Sequence, residues 1–195
     1  MNDVKKVAIY CASSTKVRPA FFHAARLLGQ IFAGQNVTMV FGGGNMGLMG
    51  EMADAMLEMN GKFIGVIPEF MIEQDWHHKL CSELIITKGM SDRKQTIEQI
   101  SDAFVALPGG IGTMDELFEC MVDKQLGMHV KPIVILNVDG YYDELVALLH
   151  KMIEEQMMRP VHGTLFQVVN TPEEVLPAIL NMPEWDRNAR KHAKI

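Results

Sequence analysis

The stretch Leu107-Pro108-Gly109-Gly110-Ile111-Gly112-Thr113-Met114-Asp115-Glu116 concentrates residue types that suit chemistry. It follows an apolar run, Ala103 to Leu107, that reads as a buried strand, and it precedes a helical pattern from about Thr113 to Leu126. Gly109, Gly110 and Gly112 therefore sit where a strand turns into a helix. Such a turn aims backbone N–H groups and the positive end of a helix dipole at one point. Glycines let the main chain approach a ligand with no Cβ in the way. The natural guest is a phosphate, cradled by the backbone from Gly109 through Ile111 and Thr113 to Met114. Glu116 lies one turn into the helix, and a carboxylate in direct contact with a phosphate would be repelled. It is better placed for a neighbour of the phosphate, such as a sugar.

A second glycine cluster, Gly42-Gly43-Gly44-Asn45-Met46-Gly47, follows another strand pattern, Val37 to Phe41. The plain reading is a tight turn for close helix–strand packing. The functional reading is a second wall of the same pocket, with Gly43 and Gly44 against the ligand. No Lys-Ser/Thr follows the cluster, so it is not a nucleotide-triphosphatase loop, and no acidic residue closes a dinucleotide fingerprint about 20 residues on. A mononucleotide fits better than a dinucleotide.

Arg93 and Lys94 fall in the first turn of a predicted helix, Ser91 to Ile100, with Ser91 as its N-cap. Cations there oppose the helix dipole. Two solvated surface charges are the ordinary explanation. The unfavourable placement favours a task, and an arginine fork suits phosphate or ribose oxygens. Glu116 and Glu119 are three residues apart and share a helix face, whereas Asp115 is more simply a dipole partner. His77, His78, His129, His150 and His162 show no metal-ligand spacing, so no metal is expected. No Ser or Cys stands in a nucleophile-elbow pattern. The chain has 16 methionines, and Met49, Met52, Met56 and Met59 repeat at helical spacing, which reads as core or subunit interface.

The elements that must position these residues alternate throughout. Strand patterns at 7–11, 37–41, 63–67, 83–87, 103–107, 132–137 and 168–170 are separated by helical patterns at 19–34, 48–59, 91–100, 113–126, 142–157 and after Thr171. Pro19 opens the first helix and Gly34 closes it, while Thr171, Pro172 and Glu174 spell a capping box. Between Pro68 and Ser82 the periodicity is lost, and a loop with a short helix is expected. No two-residue hairpin turn occurs. The pattern implies βαβ units in a doubly wound, Rossmann-like parallel sheet with helices on both faces. Ligands in such sheets bind at the carboxyl ends of strands where the order reverses. One nucleotide-binding domain over residues 1–186 and a charged C-terminal tail over 187–195 are expected.

Composition agrees with this picture. The 195 residues are 48% hydrophobic and 22% charged, ordinary for a globular chain with a full core. A net charge of −6 argues against a nucleic-acid surface, which needs a basic footprint. No apolar run approaches the roughly 20 residues of a membrane span. The start, Met1 to Lys6, runs directly into a strand without a leader pattern, and Cys11, Cys81 and Cys120 are far apart. Reduced thiols in a cytoplasmic protein are expected.

Taken together, these residues resemble the LOG ("lonely guy") family of cytokinin riboside 5′-monophosphate phosphoribohydrolases, which older naming calls lysine decarboxylases. The signature Pro-Gly-Gly-x-Gly-Thr-x-x-Glu stands intact at Pro108 to Glu116. Gly42-Gly43-Gly44-x-x-Gly47-Leu48-Met49-Gly50, Cys11-Ala12-Ser13-Ser14, Arg93-Lys94 and Asn137-Val138-Asp139-Gly140-Tyr141-Tyr142 also resemble family segments. The resemblance implies Arg93 and Glu116 as the catalytic pair and Gly110 to Thr113 as the phosphate loop. It implies Asp75 as the acidic ligand contact in the third-strand loop. Ser13, Gly43, Gly44, Lys94, Gly109, Met114, Asp115 and Glu119 complete the expected substrate-binding set. It further implies a nucleoside 5′-monophosphate substrate, no cofactor, and a homodimer with sites close to the subunit interface. The chain departs from the family at Ser91, usually histidine, at Val122-Asp123, usually Thr-Trp, and at Asp75, usually Glu. These positions bear on the base, which makes AMP a candidate beside a cytokinin riboside monophosphate. Molybdenum-cofactor carrier proteins resemble the same fold and supply the alternative, a nucleotide or cofactor carrier without turnover.

Overall fold

Successive residues of the first strand enter different cores. Val7 and Ile9 pack into one, Ala8 and Tyr10 into the other, and all four are at most 4% exposed. A strand apolar on both faces has to lie between two helical layers. The computed structural model describes residues 4–186 and Asn188, and it builds such a three-layer sandwich. The predicted tail, apart from Asn188, lies outside the described residues.

The elements run β1 (Lys6–Tyr10), α1 (Pro19–Gly34), β2 (Thr38–Phe41), α2 (Gly47–Glu58), β3 (Phe63–Pro68), α3 (Glu69–Glu73) and β4 (Glu83–Thr87). The second half runs α4 (Met90–Ile100), β5 (Ala103–Ala106), α5 (Ile111–Gln125), β6 (Ile133–Leu136), α6 (Asp143–Glu154), β7 (Gln167–Val169) and α7 (Val175–Asn181). The strands form one parallel sheet in the order β4-β3-β2-β1-β5-β6-β7. Helices α1, α2 and α7 cover one face; α4, α5 and α6 cover the other. After β4 the chain returns to the centre and lays β5 against β1, pairing Ile9 with Val105. The order therefore reverses between β1 and β5, and the loops after them diverge into a crevice.

Local signals account for most boundaries. Pro19 stands at the start of α1, and Thr171 and Glu174 form the expected capping box, although its first turn is a 3₁₀ turn ahead of α7. The predicted Ser91 cap is incorrect. Helix α4 begins at Met90 with extended Gly89 as N-cap, and Ser91 is an exposed residue of the first turn. The hydroxyl at 91 loses to the extended backbone of Gly89, whose carbonyl already accepts from Arg93 N at 3.0 Å. All three cysteines are free. Among the described residues, no helix is long and apolar enough to cross a membrane.

One polar side chain sits deep in the second core. Lys124 of α5 is 1% exposed and donates from Nζ to the Leu165 carbonyl at 2.8 Å. Burial pulls its pKa down to about 8 from an ordinary 10.5. The folded protein thus holds this proton less tightly than the unfolded chain, so stability from this group is gained as pH rises from about 8 towards 10.5. Relative to Lys124→Met, the native protein is expected to gain on the order of 2 kcal/mol between about pH 7 and pH 10. Urea unfolding of both proteins across that range measures it.

Candidate active site

The loop after β5 is oriented by its carbonyls. The Leu107 carbonyl accepts from the Tyr142 hydroxyl at 2.6 Å, and the Gly109 carbonyl accepts from the Tyr141 hydroxyl at 2.7 Å. Between them, the Pro108 carbonyl accepts from Ala12 N, across the switch point, at 3.1 Å. The Gly110 carbonyl accepts from Met114 N and closes the first turn of α5. As the first residues of α5, Ile111, Gly112 and Thr113 have N–H groups with no protein partner among the described residues. They are the orphan donors of a helix start, pointed at the crevice. The glycines divide by cause. A Cβ on Gly109 would lie 2.1 Å from Thr113 Oγ1, so the protein's own packing demands glycine there. A Cβ on Gly110 or Gly112 would meet nothing within 4 Å. No packing within the protein demands glycine at these two positions.

That crevice is a cleft of about 530 Å³. Its floor is Arg93 paired with Glu116. Helix α4 delivers the arginine and α5 the glutamate. Nη1 donates to Oε1 at 2.8 Å, and Nε donates to the Val66 carbonyl of β3 at 3.1 Å. The two side chains are only 8% and 11% exposed. Burial pushes the Glu116 pKa up; the charge and hydrogen bond of Arg93 pull it back, and the net direction is upward. The site thus holds a buried carboxylate whose pKa is raised by burial, one helical turn behind a set of free backbone donors.

The remaining expected residues fall into three groups. Ser13, Gly44, Gly110, Ile111, Gly112, Thr113 and Asp115 line the cleft with Arg93 and Glu116. Gly43 and Gly109 are buried behind it, and Met114 packs against the second core. Lys94, Glu119 and Asp75 are not brought to the cleft wall. Lys94 pairs with Asp115 at 3.0 Å and with Glu119 on the outer flank of α4 and α5, a pairing that offsets the unfavourable helix position. Asp75 adopts a positive φ of 57°, keeps 66% of its side chain exposed and pairs with Lys79. Its chain neighbour Trp76 takes the wall instead. Asn45 N donates to the Trp76 carbonyl at 3.0 Å and His78 N to the Gly43 carbonyl at 2.8 Å, which straps this segment to the second glycine loop.

Sequence reasoning did not find the apolar walls. Met46, Met49, Met71, Trp76 and Met90 line the cleft. Of the methionine stripe on α2, Met52 and Met56 are core as expected, Met49 faces the cleft and Met59 is half exposed. The available signal was the unusual methionine content together with a tryptophan in the one stretch without periodicity.

Residues 49–179 match the family described as "Possible lysine decarboxylase". A probable cytokinin riboside 5′-monophosphate phosphoribohydrolase of Oryza sativa subsp. japonica is 40% identical over 87% of this chain and 74% of that protein. A cytokinin riboside 5′-monophosphate phosphoribohydrolase of Arabidopsis thaliana is 37% identical over 97% of this chain and 90% of that one. The chain belongs to the LOG family. The fold of this LOG-family chain also matches the molybdenum cofactor binding protein from Rippkaea orientalis, with a TM-score of 0.71 at 20% identity over 92% of this chain and 98% of that one. That likeness concerns fold.

Two substitutions separate the loop's support from its ligand face. Tyr142→Phe strands the buried Leu107 carbonyl and is expected to cost about 1–2 kcal/mol in urea unfolding. Gly112→Ala in α5 is expected to leave stability unchanged or raise it by up to about 1 kcal/mol. If an anion seats on the free donors, the same alanine is expected to weaken inorganic phosphate binding, which calorimetry measures.

Proposed function

We propose that this protein hydrolyses the N-glycosidic bond of a nucleoside 5′-monophosphate, a cytokinin riboside monophosphate or AMP, giving the free base and ribose 5-phosphate. The observation that carries the reading is the buried Arg93–Glu116 pair placed one turn behind the unpaired N–H groups of Ile111, Gly112 and Thr113. Named relatives with this activity over most of the chain support it.

The 5′-phosphate sits on the free donors at the start of α5. Glu116 lies about 6 Å further along the axis at 1.5 Å per residue, which spaces it for the sugar rather than the phosphate. As the C1′–N bond lengthens, positive charge develops on the ribose, as in other glycosyl transfers. Ionised Glu116 stabilises that charge and takes a proton from the attacking water. The water oxygen bonds to C1′, the base leaves with the electrons of the broken C1′–N bond, and the proton that Glu116 took from the water passes to the departing base. Arg93 keeps the carboxylate ionised and aimed. The planar base lies against Trp76 and the methionine walls, which suit an aromatic face and adapt to its substituent.

A carrier without turnover has no use for a buried carboxylate that costs desolvation energy. A decarboxylase using pyridoxal phosphate needs a lysine in its pocket. Among the described residues no lysine lines the cleft: Lys94 is tied outside it and Lys124 is sealed in the core. The exposed apolar residues Met46, Met90 and Ile111 at the cleft rim suit a homodimer whose partner lies near the site, and three free thiols suit a reducing cytoplasm.

Incubation with AMP, GMP, CMP and isopentenyladenosine monophosphate, with chromatography of the free base, tests the reading; release from none of them overturns it. Glu116→Gln is expected to lower kcat by roughly 10²–10⁴ with KM little changed. Because the ionised carboxylate is required, activity should fall as pH drops through the Glu116 pKa, and this acidic limb should lie above the ordinary carboxylate value of 4.5. Arg93→Met removes the downward pull, so its residual activity should show the limb at still higher pH.

A further inference from the structure

We propose that Gly42 is a positioning residue for this reaction: the space left by its missing side chain seats the Arg93 guanidinium, which in turn aims Glu116. The catalytic part of this inference rests on the proposed hydrolysis; the structural part does not. A Cβ built on Gly42 would lie 1.9 Å from Arg93 Nη2 and 3.0 Å from its Cζ. Its next neighbour, Met49 Sδ at 3.4 Å, is an ordinary contact. Backbone conformation gives no other reason for glycine. Gly43 has a positive φ of 73° and needs to be glycine for the turn, whereas Gly42 has none.

The arginine cannot simply step aside. Its fork is fixed at two other corners, by Nε on the Val66 carbonyl and by Nη1 on Glu116. A rigid planar group held at two points has its third corner determined. That corner lies over Gly42. The ends of β2 and β3 thus form the two halves of one socket, Gly42 supplying the space and Val66 the acceptor. An added methyl swings the guanidinium out, breaks at least one of the two bonds and leaves Glu116 with a displaced partner. The neighbouring glycines therefore differ: Gly42 and Gly44 both line the cleft, but only Gly42 seats the arginine, while Gly43 turns the chain.

The test is a double-substitution cycle of Gly42→Ala and Arg93→Lys, since lysine carries no Nη2 to collide with the methyl. Gly42→Ala alone is expected to lower kcat at least tenfold, to change KM for the nucleotide less than threefold and to move the acidic limb of the pH profile upward. In the Arg93→Lys protein the same alanine should change kcat less than twofold. An equal loss in both backgrounds, or an effect on KM alone, overturns the proposal. Urea midpoints give the same cycle without turnover: alanine should lower the midpoint only where Arg93 is present. If no nucleotide is hydrolysed by the native protein, that arm still decides about the seat, and the function reading alone fails. If Gly42→Ala does not fold, the double variant must fold; its failure to do so overturns the proposal.

Discussion

Placing a guanidinium and a carboxylate together under a protein surface removes both from water, and their attraction offsets that loss only when the geometry is tight and the remaining donors are used. Arg93 and Glu116 meet this condition with help from three strands. Val66 at the end of β3 accepts from Nε, Gly42 at the end of β2 leaves room for Nη2, and β5 leads into the helix that carries Glu116. The pair is thus a consequence of strand order. Only when β5 returns to lie beside β1, with β2 and β3 on the other side, do α4 and α5 meet above the carboxyl edge. The cost of burial appears in the upward direction of the Glu116 pKa, and a reactive carboxylate benefits from that direction.

The loop in front of the pair follows a second constraint. The carbonyls that lead into α5 are each held by a donor from another part of the chain. Tyr141, Tyr142 and Ala12 draw three successive carbonyls away from the cleft. Tyr142 is itself fixed, because its N–H donates to Asn137 Oδ1 at 2.6 Å and Asn137 Nδ2 donates to Asp143 Oδ1. The late turn from Asn137 to Tyr142 is therefore the back support of the loop after β5.

Much of this was legible in the sequence because it is written locally. Alternating apolar runs and helical periods gave the three layers, and glycines after two strands gave both loops. The pairing of Arg93 with Glu116 was reached through resemblance and is not local: 23 positions separate the two residues, and only the switch point joins them. Lys94 misled for a related reason. Its disfavoured helix position hinted at a ligand, yet Asp115 and Glu119 on the next helix satisfy it. Asp75 and Trp76 are adjacent, and a positive φ at Asp75 sends its carboxylate to solvent while Trp76 lines the cleft. Side-chain direction in an irregular segment is set by its hydrogen bonds to another loop, which no periodicity encodes.

The charge arrangement also bears on how the proposed substrate's phosphate would be held. Arg93 is the one cation lining the cleft among the described residues, and Glu116 neutralises it. Lys94 is neutralised outside. Under the proposed function, a dianionic phosphate on a chain of net charge −6 would be bound by uncharged backbone donors and a helix dipole, interactions that act within the first turn and fade beyond it. Such a cradle discriminates by position: it rewards a phosphate seated on Ile111 to Thr113 and offers little to an anion elsewhere. It also leaves Arg93 committed to Glu116. A free cation in the cleft would draw the phosphate deeper, on to the carboxylate. In the proposed reaction, its absence would keep the phosphate at the mouth and the sugar over Glu116, the arrangement that bond cleavage at C1′ requires.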